Sequence, residues 1–409
     1  MILRIMEHEH VHIGKSISIS EKKIDRHTAE ELKNLEYSLQ KNIFKWGRNF
    51  ISPQQWVGVI KLSNLTIEIL PKINSTYDEL LSKEILVNMI NYSFGHTSKQ
   101  NVNSSLKNNS KNFIDAIVGI FLQELQNELR KGLIQSYKKI NKNLTKVKGR
   151  INFNDHINKN FVDKHKFYCT YSSLSTNNVI NQTIRTTLNL LQNLVKSPKN
   201  ISSIKQIQAY FIEIESKNIS IHDINSIKWT KLNNRYKRII DMCKMFLENN
   251  FLNLSTGNQN ISFFLFDMNK LFEKVIYIAL SKSQKTINFQ YNKQYLLEKK
   301  SNNKNMIRLI PDIIIKGSGN ITIVDTKWKN TKNFIKESDA YQMSVYNTTF
   351  DSVSRVVLFY PKSLNNDKIA GEYNFINNPN QTILEIKSID LTKILNQQRF
   401  HFYVESLIN

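Results

Sequence analysis

Residues 306–329, MIRLIPDIIIKGSGNITIVDTKWK, place two short apolar runs on either side of a Gly317-Ser318-Gly319-Asn320 turn signal, the pattern of a β-hairpin. With those four residues as the loop, Lys316 faces Ile321, Ile314 faces Ile323, and Asp312 falls opposite Asp325. Cross-strand partners hold their Cβ atoms roughly 4.5–5.5 Å apart, and like charges so placed repel. Two carboxylates on a buried strand pair are costly unless a cation or a proton resolves the conflict. Lys327 follows Asp325 by two residues and so projects from the same face. The pairing therefore predicts two acids and one amine on a single patch.

Such a patch suits metal-assisted phosphodiester hydrolysis. Hard carboxylate oxygens hold Mg²⁺, which keeps part of its water shell, activates water and stabilises charge on the scissile phosphate. Lys327 would orient or deprotonate the attacking water, or stabilise the pentacovalent phosphate. The order Pro311-Asp312, then Asp325-Thr326-Lys327, resembles the PD-(D/E)xK nuclease superfamily. The bland alternative is a surface hairpin with chance acids. Downstream, Ser338 to Tyr346 reads as a helix start with Ser338 as N-cap. Gln342 and Tyr346 lie four apart on one helix face, resembling the QxxxY element of RecB-type members. Upstream, Asp267 opens a helix running to about Leu280, with Glu273 where many such nucleases keep a helical acid. The alternatives are a solvated acid at Glu273 and ordinary helix packing at Gln342 and Tyr346.

The resemblance implies roles for these residues. Asp312, Asp325 and the carbonyl of Thr326 would bind Mg²⁺, and Glu273 would bind a second ion or hold the first through water. Lys327 would act on water or phosphate, while Gln342 and Tyr346 would contact phosphate or brace Lys327. Relatives often carry Ala at the position of Thr326, whose hydroxyl is expected to point to the opposite face.

A chain of 409 residues is long enough for two or three domains. Its 57 basic and 34 acidic residues leave a net charge of +23, which fits a polyanion such as nucleic acid, although richness in Lys, Asn and Ile also follows from an AT-rich genome. Residues 97–170 alone hold 14 basic and 5 acidic residues. Lys138, Lys139, Lys142, Lys146, Lys148 and Arg150 are therefore candidates for DNA-backbone contact, against the alternative of a solvated face. Cys169 and Cys243 lack metal-ligand spacing and read as core thiols. No signal-peptide layout and no apolar run of membrane-spanning length is present, so a cytoplasmic protein is expected, without a membrane partner.

In chain order, residues 1–20 alternate as strands, with His8, His10 and His12 expected on one face of an exposed edge. Thr28–Leu39 reads as a helix, and Gln55–Ile73 as two strands joined at Ser63-Asn64. A helix over Tyr77–Phe94 precedes a polar stretch, 97–112, expected to be a flexible loop. Further helices are expected at 114–131, 178–194, 201–214 and 232–247. From Ile261 the expected order is helix, a strand at 287–297, the hairpin, the Gln342 helix, and strands at 355–360, 372–375 and 383–389. The fold class is an α+β N-terminal region followed by an α/β nuclease domain, its central mixed sheet flanked by helices. The domain boundary is expected at 255/256, giving 1–255, itself divisible into 1–96 and 113–250, and 256–409.

Several short elements resemble the McrC family. They are Val57-Gly58-Val59-Ile60 with Ile67 to Lys72, Gly132-Leu133 with Tyr137, Lys148-Gly149-Arg150-Ile151-Asn152-Phe153, and Leu174-Ser175 with Asn177, Asn178 and Asn181. Leu232 to Tyr236 adds another. Asn177 and Gln182 depart from the pattern, which favours Asp and Arg there. The resemblance implies the endonuclease subunit of a McrBC-type modification-dependent restriction system, associated with 5-methylcytosine and defence against foreign DNA. It implies a McrB-like AAA+ GTPase hexamer as partner, engaged by the N-terminal part, whose GTP hydrolysis this chain stimulates. No P-loop is present in the chain itself. A stand-alone RecB-like nuclease, or a non-catalytic basic adaptor between a motor NTPase and DNA, remain the alternative readings.

Overall fold

The structure is a computed structural model that describes residues 1–73, 78–95, 113–248, 254–255, 260–282, 286–317, 319–376 and 381–408. The expected flexible loop at 97–112 lies outside the described residues. The chain divides into two compact units, one formed by 1–117 with 249–409 and the other by 118–248.

This division departs from a linear cut at 255/256, and strand pairing gives the reason. The apolar strands Trp56–Lys61 and Thr66–Leu70 form the expected hairpin, with Gly58 opposite Ile69 and Ile60 opposite Ile67. Ile2–Met6 runs parallel to one side of it, and Asn260–Asp267 runs antiparallel to the other, placing Leu265 opposite Gly58. A single core holds Leu3, Ile5, Leu32, Ile60 and Ile67 together with Phe263 and Leu265. Residues on both sides of the expected boundary thus bury one another's apolar faces.

The same unit contains a six-stranded mixed sheet, ordered Thr286–Phe289, Ile313–Lys316, Ile321–Thr326, Val353–Pro361, Ile383–Ile389 and Gly371–Asn374. The two strands flanking the Gly317 turn are antiparallel, and the next two pairings are parallel. Parallel strands are normally covered on both faces, which accounts for their near-continuous apolar runs. The helix Met268–Ser281 packs against Ile321–Thr326, and the helix Glu337–Thr349 packs against Val353–Pro361. Asp267 caps the first of these helices by accepting from the Asn269 amide at 3.0 Å. The second begins at Glu337 without a side-chain cap, so Ser338 is not the N-cap. The expected strand at 287–297 is broken. Gln290 takes a left-handed φ of 45°, and Gln294–Tyr295 pairs instead with Arg308–Leu309. The three N-terminal histidines do not share a strand face either, because the chain turns after Met6 and only His12 lies within Val11–Gly14.

The 118–248 unit carries Val179–Gln192, Pro198–Gln208 and Lys237–Glu248 as helices, with a three-stranded antiparallel sheet. Cys169 and Cys243 are both buried free thiols. Gln182 donates to the Asn177 side-chain oxygen at 2.8 Å, so the two positions that depart from the family pattern satisfy each other as a neutral pair. No helix among the described residues is long and apolar enough to cross a membrane.

Candidate active site

The hairpin register is the expected one as far as Ile313, which stands opposite Val324. Pairing stops there, so Asp312 sits one step beyond the ladder. Its backbone carbonyl accepts from the Gln290 amide at 2.8 Å. Its carboxylate accepts from the Thr326 amide at 2.7 Å and from the Thr326 hydroxyl at 2.8 Å. The Thr326 hydroxyl therefore meets Asp312, contrary to the expectation that it points away. The cause is that Asp312, released from the pleat, reaches along the neighbouring strand.

Asp325 is fully buried and ion-paired with Lys327. Burial, and then the neighbouring Asp312, push the Asp325 carboxyl above the usual carboxylate range. Burial raises Asp312 too, against the pull of its Thr326 hydrogen bonds. Burial, the largest single influence, would lower the Lys327 amine, but the carboxylates of Asp325, Asp312 and Asp339 together raise it overall. Gln342 donates to the Tyr346 hydroxyl at 2.8 Å and lies 3.4 Å from Asp325. The Tyr346 hydroxyl donates in turn to the carbonyl of Ile310 at 3.3 Å, two residues before Asp312. The geometry thus joins Asp312, Asp325, Lys327, Thr326, Gln342 and Tyr346.

Glu273 stands further back. Its carboxylate accepts from Gln290 at 3.0 Å, the residue whose amide holds Asp312. Burial and then Asp312 push it up to about 7. Among the described residues no group of three His, Cys, Asp or Glu side chains is arranged to hold a metal ion. The donor set nevertheless fits Mg²⁺. Buried Asp325 and half-buried Asp312 face one lysine, their protons are held more tightly than usual, and Mg²⁺ commonly takes one or two carboxylates with water completing its shell.

Several neighbours of this cluster escaped the sequence reading. Asp339 is buried, 2.5 Å from the Lys329 amine, and accepts from the Tyr360 hydroxyl at 2.8 Å. Its field acts on both Asp325 and Lys327. The available signals were its place one turn before Gln342 and the spacing of Lys329 two residues after Lys327.

On the other side, the Trp328 indole donates to both oxygens of buried Glu7, at 3.0 and 3.1 Å. Burial pushes Glu7 up to about 8. An unfolded glutamate loses its proton near ~4.3, so between that value and 8 the folded chain holds the extra proton. The stability due to neutral Glu7 is fully present below the lower value and is lost as pH rises through the upper one. Glu7→Gln is expected to melt like wild type near pH 5 and above it at pH 8.5. Thermal melts at both values check this, and equal wild-type and variant melting at pH 8.5 would refute it.

The basic candidates all lie in the other unit and are all exposed. Lys138 and Lys142 share one face of the strand Ser136–Leu144, and Lys139 takes the opposite face. Lys148 lies over the Tyr171 ring, 4.5 Å from its centroid, and Arg150 pairs with Thr170 in the adjoining strand. They form a two-sided basic arm rather than one continuous face.

The McrBC 5-methylcytosine restriction system component family matches residues 51–361, a span that holds both hairpins and every residue of the acid-lysine cluster. The chain belongs to the McrBC family. Its short sequence elements are those of the McrC component within that family. Two solved structures share the fold. One is a refined half-complex from a tetradecameric assembly of Thermococcus gammatolerans McrB AAA+ hexamers with bound McrC, 16% identical, with a TM-score of 0.64, covering 97% of this chain and 99% of the matched chain. The other is the cryo-EM structure of the Thermococcus gammatolerans McrBC complex, 18% identical, with a TM-score of 0.51, covering 69% of this chain and 88% of the other. No curated protein matches the sequence.

Proposed function

We propose that this McrBC-family chain is a Mg²⁺-dependent DNA endonuclease of the PD-(D/E)xK type that cuts when assembled with a McrB-like AAA+ GTPase. The observation that carries this reading is the convergence of Asp312, Asp325 and Lys327 at one end of a buried hairpin. When bound, Mg²⁺ supplies Lewis-acid stabilisation of charge at the scissile phosphate. Asp312 and Asp325 would hold it, with the Thr326 carbonyl as a third donor and Glu273 acting through water. The Lys327 amine is ion-paired with Asp325, so it serves as a fixed cation for the phosphate oxygens rather than as the base. Gln342 braces Asp325, and Tyr346 anchors the segment that presents Asp312. The basic arm of Lys138, Lys139, Lys142, Lys146, Lys148 and Arg150 contacts DNA phosphates.

The partner is proposed from the assembly named for the similar structure. The test is plasmid cleavage with and without the GTPase, on methylated and unmethylated DNA. Cleavage only with the GTPase supports the reading. Cleavage by the chain alone favours a stand-alone nuclease, and none under any condition favours a DNA adaptor.

Tyr346→Phe removes two hydrogen bonds but keeps the packed ring. At about 1 kcal/mol each, their loss is expected to slow single-turnover cleavage by up to about thirtyfold. An unchanged rate would leave Tyr346 with a packing role only.

A further inference from the structure

The ribbon that leads into the catalytic strand stands apart from the six-stranded sheet. Gln294–Tyr295 pairs antiparallel with Arg308–Leu309, and Glu298–Lys299 with Lys304–Asn305. Between them the Leu296 amide donates to the Ile307 carbonyl and the Met306 amide to the Leu297 carbonyl, each at 2.7 Å, so one register runs from root to tip. Every residue from Leu296 to Arg308 is exposed. A lone two-stranded ribbon is marginal in water, and this one carries two further costs on a single face. Side chains alternate, so Tyr295, Leu297 and Lys299 share a face with Arg308, Met306 and Lys304. At the tip Lys299 stands directly opposite Lys304, a like-charged pair that repels. In the middle Leu297 and Met306 are 53% and 47% exposed. At the root Arg308 lies over the Tyr295 ring and donates to its hydroxyl at 2.8 Å. That face holds three cations and no acid, because Glu298, the ribbon's single acid, lies on the opposite one. The root is held by the site itself. The Gln294 side chain donates to the Thr349 carbonyl at 3.1 Å, at the end of the helix that carries Gln342 and Tyr346. Asp312 follows Lys304 by eight residues, no more than about 27 Å of extended chain.

We infer that this face of the ribbon lies in the major groove of the DNA duplex, within one helical turn of the phosphate being cut. The inference rests on the nuclease reading above and names a substrate contact that neither the acid-lysine cluster nor the basic arm of the other unit provides. The major groove, about 12 Å wide, admits a two-stranded ribbon. Phosphates along the groove relieve the repulsion between Lys299 and Lys304. Leu297 and Met306 then turn toward the base edges, where thymine methyls offer apolar contact. A second copy of this chain packed on the same face would cover the apolar pair but set its own lysines against these, so the charge favours DNA.

The test uses the full chain in EDTA, so that no cutting intervenes. A fluorescent duplex of about 30 base pairs, close to three helical turns, is followed by anisotropy at several salt concentrations. Lys299→Ala/Lys304→Ala is expected to bind about tenfold more weakly, with the slope of log affinity against log salt reduced by about two, one for each lysine. Leu297→Ser/Met306→Ser should bind about fivefold more weakly with an unchanged slope, because it loses apolar contact and no phosphate contact. Leu296→Ser/Ile307→Ser alters the opposite face and should shift affinity by less than about twofold. Wild-type affinity and slope in the lysine double variant would overturn the proposal, as would an equal loss in Leu296→Ser/Ile307→Ser. Sedimentation velocity on the same proteins covers the other occupant. Self-association that falls in Leu297→Ser/Met306→Ser while DNA affinity stays at the wild-type value would make the face an interface between copies and overturn the proposal. The outcome is separable from the nuclease reading. A chain that never cuts DNA yet loses affinity in the lysine double variant keeps the ribbon and discards the chemistry, and a chain that cuts while affinity stays unmoved does the reverse.

Discussion

Asp325→Asn is expected to lower DNA cleavage by about a thousandfold or more while leaving the fold and partner binding intact. The substitution keeps the side chain's size and removes its charge. Asp325 is fully buried between Asp312, which repels its charge, and Lys327, which pairs with it. Removing the charge relieves the repulsion with Asp312 but also breaks the Lys327 ion pair, so the melting temperature of the metal-free protein should change little. Catalysis should respond far more strongly. Charge stabilisation by a bound cation is worth several kcal/mol in the transition state, and each ~1.4 kcal/mol is tenfold in rate. Lys327→Ala should lose cleavage to a similar degree but also destabilise the fold, because it leaves Asp325 buried without its counter-ion. Single-turnover cleavage paired with thermal melts distinguishes the two variants. An Asp325→Asn protein cutting at more than a tenth of the wild-type rate would remove this residue from the site.

The largest stability effect is expected at Gly58. This residue sits in the central strand of the five-stranded sheet with a φ of 146°, and a Cβ added there would lie 2.0 Å from the backbone oxygen of Phe264. Backbone cannot rotate aside as a side-chain tip can. Gly58→Ala must therefore push Asn260–Asp267 away from Trp56–Lys61 and open the joint that unites the two ends of the chain. Strain and overpacking together should cost about 3 kcal/mol or more. For a unit of this size that lowers the melting temperature by roughly 6–12 °C. Gly132→Ala is the control, since its φ is 86° but nothing lies within 4 Å of an added Cβ. It should cost only about 1 kcal/mol. Equal losses in the two variants would show that backbone conformation, not the close approach of strands, makes glycine necessary at position 58.

Gly58 also shows why the domain boundary was hard to read. Alternation within Trp56–Lys61 marks a strand but does not say which strand lies beside it, and the partner comes some 200 residues later. The hairpin around Gly317 was legible because only four residues separate its closing pair, Lys316 and Ile321, and the turn fixes the register. The orientation of Thr326 was not, because period-2 alternation holds only inside the ladder and Asp312 lies just outside it. Gln342 and Tyr346 could be placed together by helical spacing alone. Asp339 could not be recognised, since its meaning depends on Lys329 and Tyr360, which reach it from other elements. The same limit applies to Glu7, whose partner Trp328 lies 321 residues away. The C-terminal helix Gln397–Ser406 was missed for another reason. Its buried residues Phe400 and Val404 are one turn apart but stand among polar neighbours, so its apolar stripe is thin.

The most direct test of the site is a count of divalent ions. Mn²⁺ is titrated into the purified full chain and the free ion is followed by electron paramagnetic resonance. Wild type should bind at least one ion, and Asp312→Asn and Asp325→Asn should each lose that binding while melting as folded proteins. A wild type that binds no ion, or variants that bind as it does, would contradict the claim that these two carboxylates converge to hold a catalytic cation.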